Sequence, residues 1–219
     1  MKTALILGSS GLTGSFVLEK LILDPDFDKI ILLNRKETEI LNPKIQEIIT
    51  DFKDEINFDS IEKLDSIFSC LGTTRKKTPD LNQYGEIEIE IPCMIAKLSL
   101  KKGLQSLHFI SSVGASSKST NFYLKIKGEA EEKLASLKIP HLHIYRPSLL
   151  IGPRKENRLA EKIFMFIMPI FNPFMIGKAT KYKTMQIENL SKSMIAIDKI
   201  TTTSSIQIHE YDSIMKNIK

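Results

Sequence analysis

The sequence predicts a doubly wound α/β fold in which a parallel sheet is covered by helices on both faces. Three observations carry the prediction. Short β-branched or aliphatic runs alternate with longer stretches of helical periodicity. The first run opens directly into a glycine-rich turn, Gly8 to Gly14, and then into a helix. Strand followed by helix, repeated, needs crossovers of the kind that cover a parallel sheet on both sides.

Taken in order, Thr3 to Leu7 is the first strand and Leu12 to about Leu23 the first helix. Lys29 to Leu33 and Glu47 to Thr50 follow as strands, with a short helical segment near Ser60 before the strand Ser66 to Leu71. A helix from about Glu86 to Lys102 leads to the strand Ser106 to Ser111, and a helix from Phe122 to Leu137 leads to the strand His141 to Tyr145. Helices at Arg158 to Met168 and Glu188 to Ile200 precede a last strand, Ile206 to His209, so the sheet holds six or seven strands. Glu86 to Ile91 alternates with period 2 and, read alone, would be a half-buried strand. Its continuation through Cys93, Ala96, Leu98 and Leu100 to Gly103 suits a helix instead, and Pro92 is tolerated if it lies in a first turn.

A length of 219 residues fits one large domain, read as 1–219 with a substrate region mainly at 149–187. Hydrophobic and charged fractions of 42% and 26% exclude disorder and collagen-like repeats. Cys70 and Cys93 supply neither a disulfide framework nor a Cys-rich zinc site, and no metal is expected. The apolar run Ala4 to Leu7 is too short for an export signal, which needs roughly 7–15 apolar residues, so the chain is expected to be cytoplasmic. The longest apolar stretch, Ile163 to Ile176, is broken by Pro169, Asn172 and Pro173 and falls short of the roughly 20 residues of a membrane span. A net charge of +5 suits an anionic ligand, but the lysines are spread along the chain and no nucleic-acid module is present, so no nucleic-acid partner is expected.

Gly8-Ser9-Ser10-Gly11-Leu12-Thr13-Gly14 has the G-x-x-G-x-x-G spacing of a phosphate cradle, with a helix opening inside it. Gly8 allows a sharp turn out of the strand, Gly11 lets backbone approach a pyrophosphate, and Gly14 permits close packing of helix on sheet; the helix N-terminus adds free N–H donors. The plainer reading is an ordinary strand-to-helix turn. After the second strand, where NAD-specific sites usually present an acid to the ribose, the chain has Asn34-Arg35-Lys36. Arg35 is expected to clamp a 2′-phosphate, which favours NADP(H) over NAD(H); the rival is a solvated loop.

Tyr123 and Lys127 form Y-x-x-x-K, a pair expected by accident about 0.6 times in a chain of this composition. Position adds what spacing lacks. Tyr123 lies just past the fifth strand, at the start of a helix whose i, i+4 spacing puts both side chains on one face. Carbonyl reduction by hydride transfer leaves an alkoxide to be protonated, and a phenol suits that task when neighbouring positive charge makes it more acidic. Lys127 supplies such charge, and Ser112, or with less reason Ser111, holds the substrate oxygen. The plainer reading is a core tyrosine with a surface lysine.

Together Gly8 to Gly14, Ser111-Ser112, Tyr123 to Lys127 and Tyr145-Arg146-Pro147-Ser148 resemble the short-chain dehydrogenase/reductase family. Leu71-Gly72-Thr73-Thr74-Arg75, Ser116 to Lys127 and Arg146-Pro147 look like its atypical, Tat-interacting-protein-like NAD(P)-binding group, over most of residues 3–200. The resemblance implies an NAD(P)-binding Rossmann fold. It also implies that Asp51-Phe52 lie near the adenine, that Leu71-Gly72-Thr73 line the cofactor, and that Arg146-Pro147 border the nicotinamide. Pro92, the Glu-Ile repeat and the residues beyond Leu149 depart from the pattern, so the substrate is not carried over.

His141 and His143 share one face of a strand, where a satisfied sheet position outweighs a metal site. Arg75-Lys76-Lys77 follows the fourth strand at the edge where such sheets bind ligands; it is read as a solvated loop, with contact to an anionic substrate as the rival. Ile163 to Ile176, rich in Phe and Met, is read as the roof of a pocket for an apolar small molecule. Its rivals are a homodimer contact and a peripheral membrane contact flanked by Arg158, Lys162, Lys178 and Lys181. The leading expectation is an NADP(H)-dependent oxidoreductase acting on a carbonyl or alcohol, and the alternative is a non-catalytic NADP(H)-binding redox sensor or scaffold.

Overall fold

The structure, a computed structural model, describes residues 1–53, 56–153, 175–200 and 203–218. Its strands are β1 (Lys2–Leu7), β2 (Phe27–Asn34), β3 (Ile45–Ile49), β4 (Ser66–Ser69), β5 (Ser106–Ile110), β6 (His141–Tyr145), β7 (Leu150–Ile151), β8 (Met185–Gln186) and β9 (Ile206–His209). Seven form one sheet in the order β3-β2-β1-β4-β5-β6-β9, parallel at every pairing, and β7 and β8 form a small parallel ribbon. The chain winds outward from β1 to β3, then returns to the other side of β1 with β4. That reversal opens a crevice at the carboxyl ends of β1 and β4, the place where ligands of such sheets bind.

β1 has no polar alternation because it is buried on both faces. Leu5 and Leu7 enter one core with Ile31, Ile67, Ile95 and Leu134, whereas Ala4 and Ile6 enter the other with Val17, Leu21, Leu190 and Met194. The first core lies under α3 (Ile91–Leu100) and α4 (Phe122–Ser136), and the second under α1 (Leu12–Leu23), α5 (Ile187–Asp198) and α6 (Tyr211–Lys216). The expected helix from Arg158 to Met168, and Ile163 to Ile176 up to residue 174, lie outside the described residues.

Two elements differ from expectation. Near Ser60 there is a turn instead of a helix: Asp59 N donates to the Asn57 side chain at 2.6 Å and Ile61 N to Phe58 O at 3.0 Å. Ile56, Phe58, Ile61 and Leu64 are all buried there, so the apolar pattern reflects core anchoring of an irregular connection. The helix expected from Glu86 begins earlier, at α2 (Leu81–Gly85), where the Asp80 side chain accepts from Asn82 N and Gln83 N. A π-turn, Glu86–Glu90, joins it to α3, with Ile91 N donating to Glu86 O. The wider turn buries the neighbours Glu88 and Ile89 together, which breaks the period-2 pattern, and Pro92 falls in the first turn of α3.

Polar side chains tie α5 to the sheet. The Asp198 carboxylate accepts from Ser66 Oγ at 2.6 Å, His108 Nε2 at 3.0 Å, Lys2 Nζ at 2.9 Å, and also from Ser106. Burial works against its ionisation, but the bonds from His108, Ser106 and Ser66 hold it well below the usual carboxylate range. His108 Nδ1 meets the Tyr145 hydroxyl at 2.9 Å, and His143 stacks on His108 and meets His209 Nε2 through its own Nδ1 at 3.2 Å. His143 is therefore part of a buried aromatic row on β5, β6 and β9.

Candidate active site

The crevice is built first by the turn after β1. Gly8 has φ +79°, a conformation in which L side chains are strained, and a Cβ there would stand 2.9 Å from Cys70 O. A Cβ on Gly14 would stand 2.1 Å from Gly8 O. The loop can fold back on α1 only if Gly14 has no side chain. Gly11 N donates to Gly8 O at 3.0 Å, and Gly11 is the N-cap of α1 with no side-chain cap. The first-turn N–H groups of the helix are thus left for a ligand. Ser10 and Gly11 are exposed at the turn, Leu12 and Thr13 are half-buried, and Ser9 is buried, its Oγ donating to Asn34 Oδ1 at 2.8 Å.

Asn34 Nδ2 is buried with no acceptor among the described residues. A buried donor left unpaired is costly, and a ligand oxygen would satisfy it. This orphaned amide and the side-chain-free cradle fit a dinucleotide. Arg35 and Lys36 are exposed, and neither makes an ion pair among the described residues. Farther along the same edge, Asp51 is exposed and Phe52 is buried with φ 66°. Phe52 N donates to Thr50 Oγ1 at 3.0 Å.

On the other side of β1, Leu71, Gly72 and Thr73 leave the end of β4. Thr73 N donates to Glu88 Oε1 at 2.7 Å, and the other carboxylate oxygen of Glu88 stands 2.7 Å from Lys127 Nζ. Lys127 also donates to Ile110 O at 2.8 Å. Burial alone would push the Lys127 ammonium down, but Glu88 and Tyr123 more than reverse this and raise it. Tyr123, one helical turn earlier on α4, is 40% exposed. Asn121 caps that helix by accepting from Leu124 N at 3.2 Å. Glu88 is the residue that sequence reasoning missed, because the Glu-Ile repeat gave no sign of which glutamate turns inward.

The two serines after β5 are separated by their partners. Ser111 is buried and donates to Glu131, whereas Ser112 is half-buried and its hydroxyl makes, among the described residues, only a long 3.4 Å contact with Val113 O. Glu131, also unforeseen, binds Arg146 through both guanidinium Nε, at 2.9 Å, and Nη2. Arg146 thus braces the ends of β5 and β6, and Pro147 O accepts from Val113 N at 3.0 Å. The loop reaches α4 because Gly128 has no side chain: a Cβ there would fall 2.2 Å from the backbone of Ser116 and Ser117.

Fold and crevice define a Rossmann-type NAD(P)-binding oxidoreductase. Over 171 residues, 74% of its length, the chain is 33% identical to protein HTATIP2 of Rattus norvegicus, covering 70% of that protein. It is 34% identical over 157 residues to the mitochondrial protein FMP52 of Meyerozyma guilliermondii, covering 70% of this chain and 67% of that one. The chain belongs to the HTATIP2/FMP52 family. No family model matches it. Among solved structures, MoeE5 in complex with UDP-glucuronic acid and NAD superposes with a TM-score of 0.71 at 12% identity, over 96% of this chain and 76% of that one. UDP-glucuronic acid 4-epimerase from Bacillus cereus in complex with NAD gives 0.69 at 14% identity, over 96% and 77%. At such identities the likeness is one of fold.

Two expectations are corrected here. The preference for NADP(H) over NAD(H), read from Asn34-Arg35-Lys36, is overturned: these structures hold NAD, and Asn34 is engaged with Ser9 while Arg35 is left in solvent. The cytoplasmic location is overturned as well, since the FMP52 relatives are mitochondrial proteins. Free cysteines do not separate those two compartments. No helix among the described residues is long and apolar enough to cross a membrane. The pocket roof, homodimer contact and peripheral membrane contact read from 163–176 fall almost wholly outside the described residues.

Proposed function

We propose that the chain is an NAD(H)-dependent oxidoreductase acting on a carbonyl or alcohol of a small molecule. Bound in the crevice, the nicotinamide supplies or accepts the hydride at the substrate carbon. The glycine turn and the free N–H groups of α1 hold the pyrophosphate, the Asn34 amide donates to the cofactor, and Asp51-Phe52 and Leu71-Gly72-Thr73 flank it. Tyr123 gives its hydroxyl proton to the oxygen of a carbonyl being reduced, or takes one from an alcohol being oxidised. Lys127 keeps one of its three donors for the cofactor ribose, the other two facing Ile110 O and Glu88. Ser112 donates to the substrate oxygen and holds it at Tyr123.

The observation that carries this reading is the division of roles on α4: an exposed phenol sits one turn from a buried, charged lysine at the sheet edge where the glycine turn opens. MoeE5, which shares this fold, is solved in complex with UDP-glucuronic acid and with UDP-glucose, which supports nucleotide sugars or similar small molecules as a substrate class. Substitution Tyr123→Phe tests the reading. It abolishes substrate-dependent NADH oxidation and leaves NADH-induced thermal stabilisation in place. Unchanged turnover in that variant refutes the role given to Tyr123.

A further inference from the structure

The turn after β4 carries a charge that the reaction above does not use. It is tightly built: Lys77 N and Thr78 N donate to Thr74 O at 2.9 and 2.8 Å, and Thr73 Oγ1 lies 2.7 Å from Thr78 Oγ1. Tyr84 OH donates to Thr73 O at 3.2 Å, and the Tyr84 ring packs edge-on against Phe122 at 5.3 Å. On Phe122 lies the Arg75 guanidinium, 4.9 Å from the ring centroid. A guanidinium over an aromatic face keeps its N–H edge free for an oxyanion while losing much of its conformational freedom. Phe122 is the neighbour of Tyr123 at the start of α4, so Arg75 is placed at the mouth of the crevice. The Tyr84 phenol registers both: burial, Glu88 and Tyr123 push it up, and Arg75 pulls it back.

The two cations nearest the reacting groups are matched: Lys127 faces Glu88 and Arg146 faces Glu131, whereas exposed Arg75, on the substrate side of the crevice beside Phe122, has no carboxylate partner among the described residues. We infer that Arg75 is the anion-binding residue of the substrate site, and that the substrate carries a carboxylate or phosphate apart from the carbon that exchanges hydride. The inference rests on the oxidoreductase reading for its substrate. It departs from the expectation of an apolar small molecule, and at Arg75-Lys76-Lys77 it takes the rival reading, contact with an anionic substrate, over the solvated loop.

The test uses para-formylbenzoate and its methyl ester, two aldehydes of the same shape at the reacting carbon that differ in one charge, with NADH as reductant. The parent protein favours the acid over the ester in kcat/KM by about ten- to a hundredfold, the size of one charge-assisted hydrogen bond. Arg75→Gln loses that preference, chiefly through KM, and Arg75→Lys keeps part of it. A third aldehyde, para-formylphenyl phosphate, shows whether phosphate or carboxylate is the better anion. A second readout needs no turnover: with NAD+ present, para-formylbenzoate raises the thermal midpoint of the parent and not of Arg75→Gln. If neither aldehyde is reduced but this stabilisation depends on Arg75, the oxidoreductase reading fails and the anion site stands. If acid and ester behave alike in parent and variant, or the acid stabilises both proteins equally, the anion site is overturned.

Discussion

Glu88 and Lys127 form an ion pair closed off from water: the carboxylate oxygen and the ammonium nitrogen are 2.7 Å apart, and the side chains are 1% and 4% exposed. The same carboxylate holds Thr73 N, so one residue in a π-turn joins the β4 turn to the lysine of α4. Removing one partner of such a pair strands a buried charge, at a cost of about 3–5 kcal/mol, while replacing both by groups of similar volume is often close to neutral. Glu88→Gln and Lys127→Met are each expected to lower stability by that amount, and the double variant to recover much of it. Urea unfolding of the four proteins measures this, and single variants within about 0.5 kcal/mol of the parent would contradict it. Because Lys127 is raised in the fold, its contribution is fully present below an unfolded pKa near 10.4 and is lost only as pH rises through the folded value.

Gly14→Ala places a methyl carbon where only 2.1 Å separates it from the Gly8 carbonyl oxygen. The glycine turn must open, and overpacking of this kind costs about 1–3 kcal/mol. The sharper consequence is for the ligand. NADH at about 100 times its dissociation constant should stabilise the parent by roughly 2.7 kcal/mol, and the variant should show little of that gain. A variant stabilised as strongly as the parent would mean that the dinucleotide does not use this turn.

Acid should loosen the fold through its histidine row before it reaches the carboxylates. Burial, then His108 and His209, push the His143 imidazole down to about 3, and burial and His108 push His209 down to about 4. Unfolded histidines take up protons from about pH 6.5 downward, so between about 6.5 and 4 the unfolded chain binds more protons and stability falls with pH. The slope can reach about 1.4 kcal/mol per pH unit for each histidine. Asp198, held low in the fold, adds its loss only below the unfolded carboxylate value near 3.9. Urea midpoints at pH 7, 6, 5 and 4.5 are expected to descend in the parent and more gently in His209→Asn. A level profile would sink the assignment of neutral buried imidazoles.

The strands of the sheet core, the glycine turn with its helix, and the Tyr123-Lys127 face of α4 were legible in the residues because each rests on local spacing. Residues two apart share a face on a strand, residues four apart share one on a helix, and a turn that bars side chains declares itself by glycine. The neighbourhoods were not legible. Ser66 and Asp198 meet across 132 positions, and which glutamate of the Glu-Ile repeat faces Lys127 depends on a π-turn that the alternating pattern conceals. The segment at Ser60 had an apolar pattern that a helix and an anchored irregular connection share. Contacts between distant segments follow from how crossovers stack helices on a twisted sheet, a global packing outcome with no short-range signature. For that reason the assignment of partners to Lys127, Ser111 and Arg146 belongs to the folded molecule.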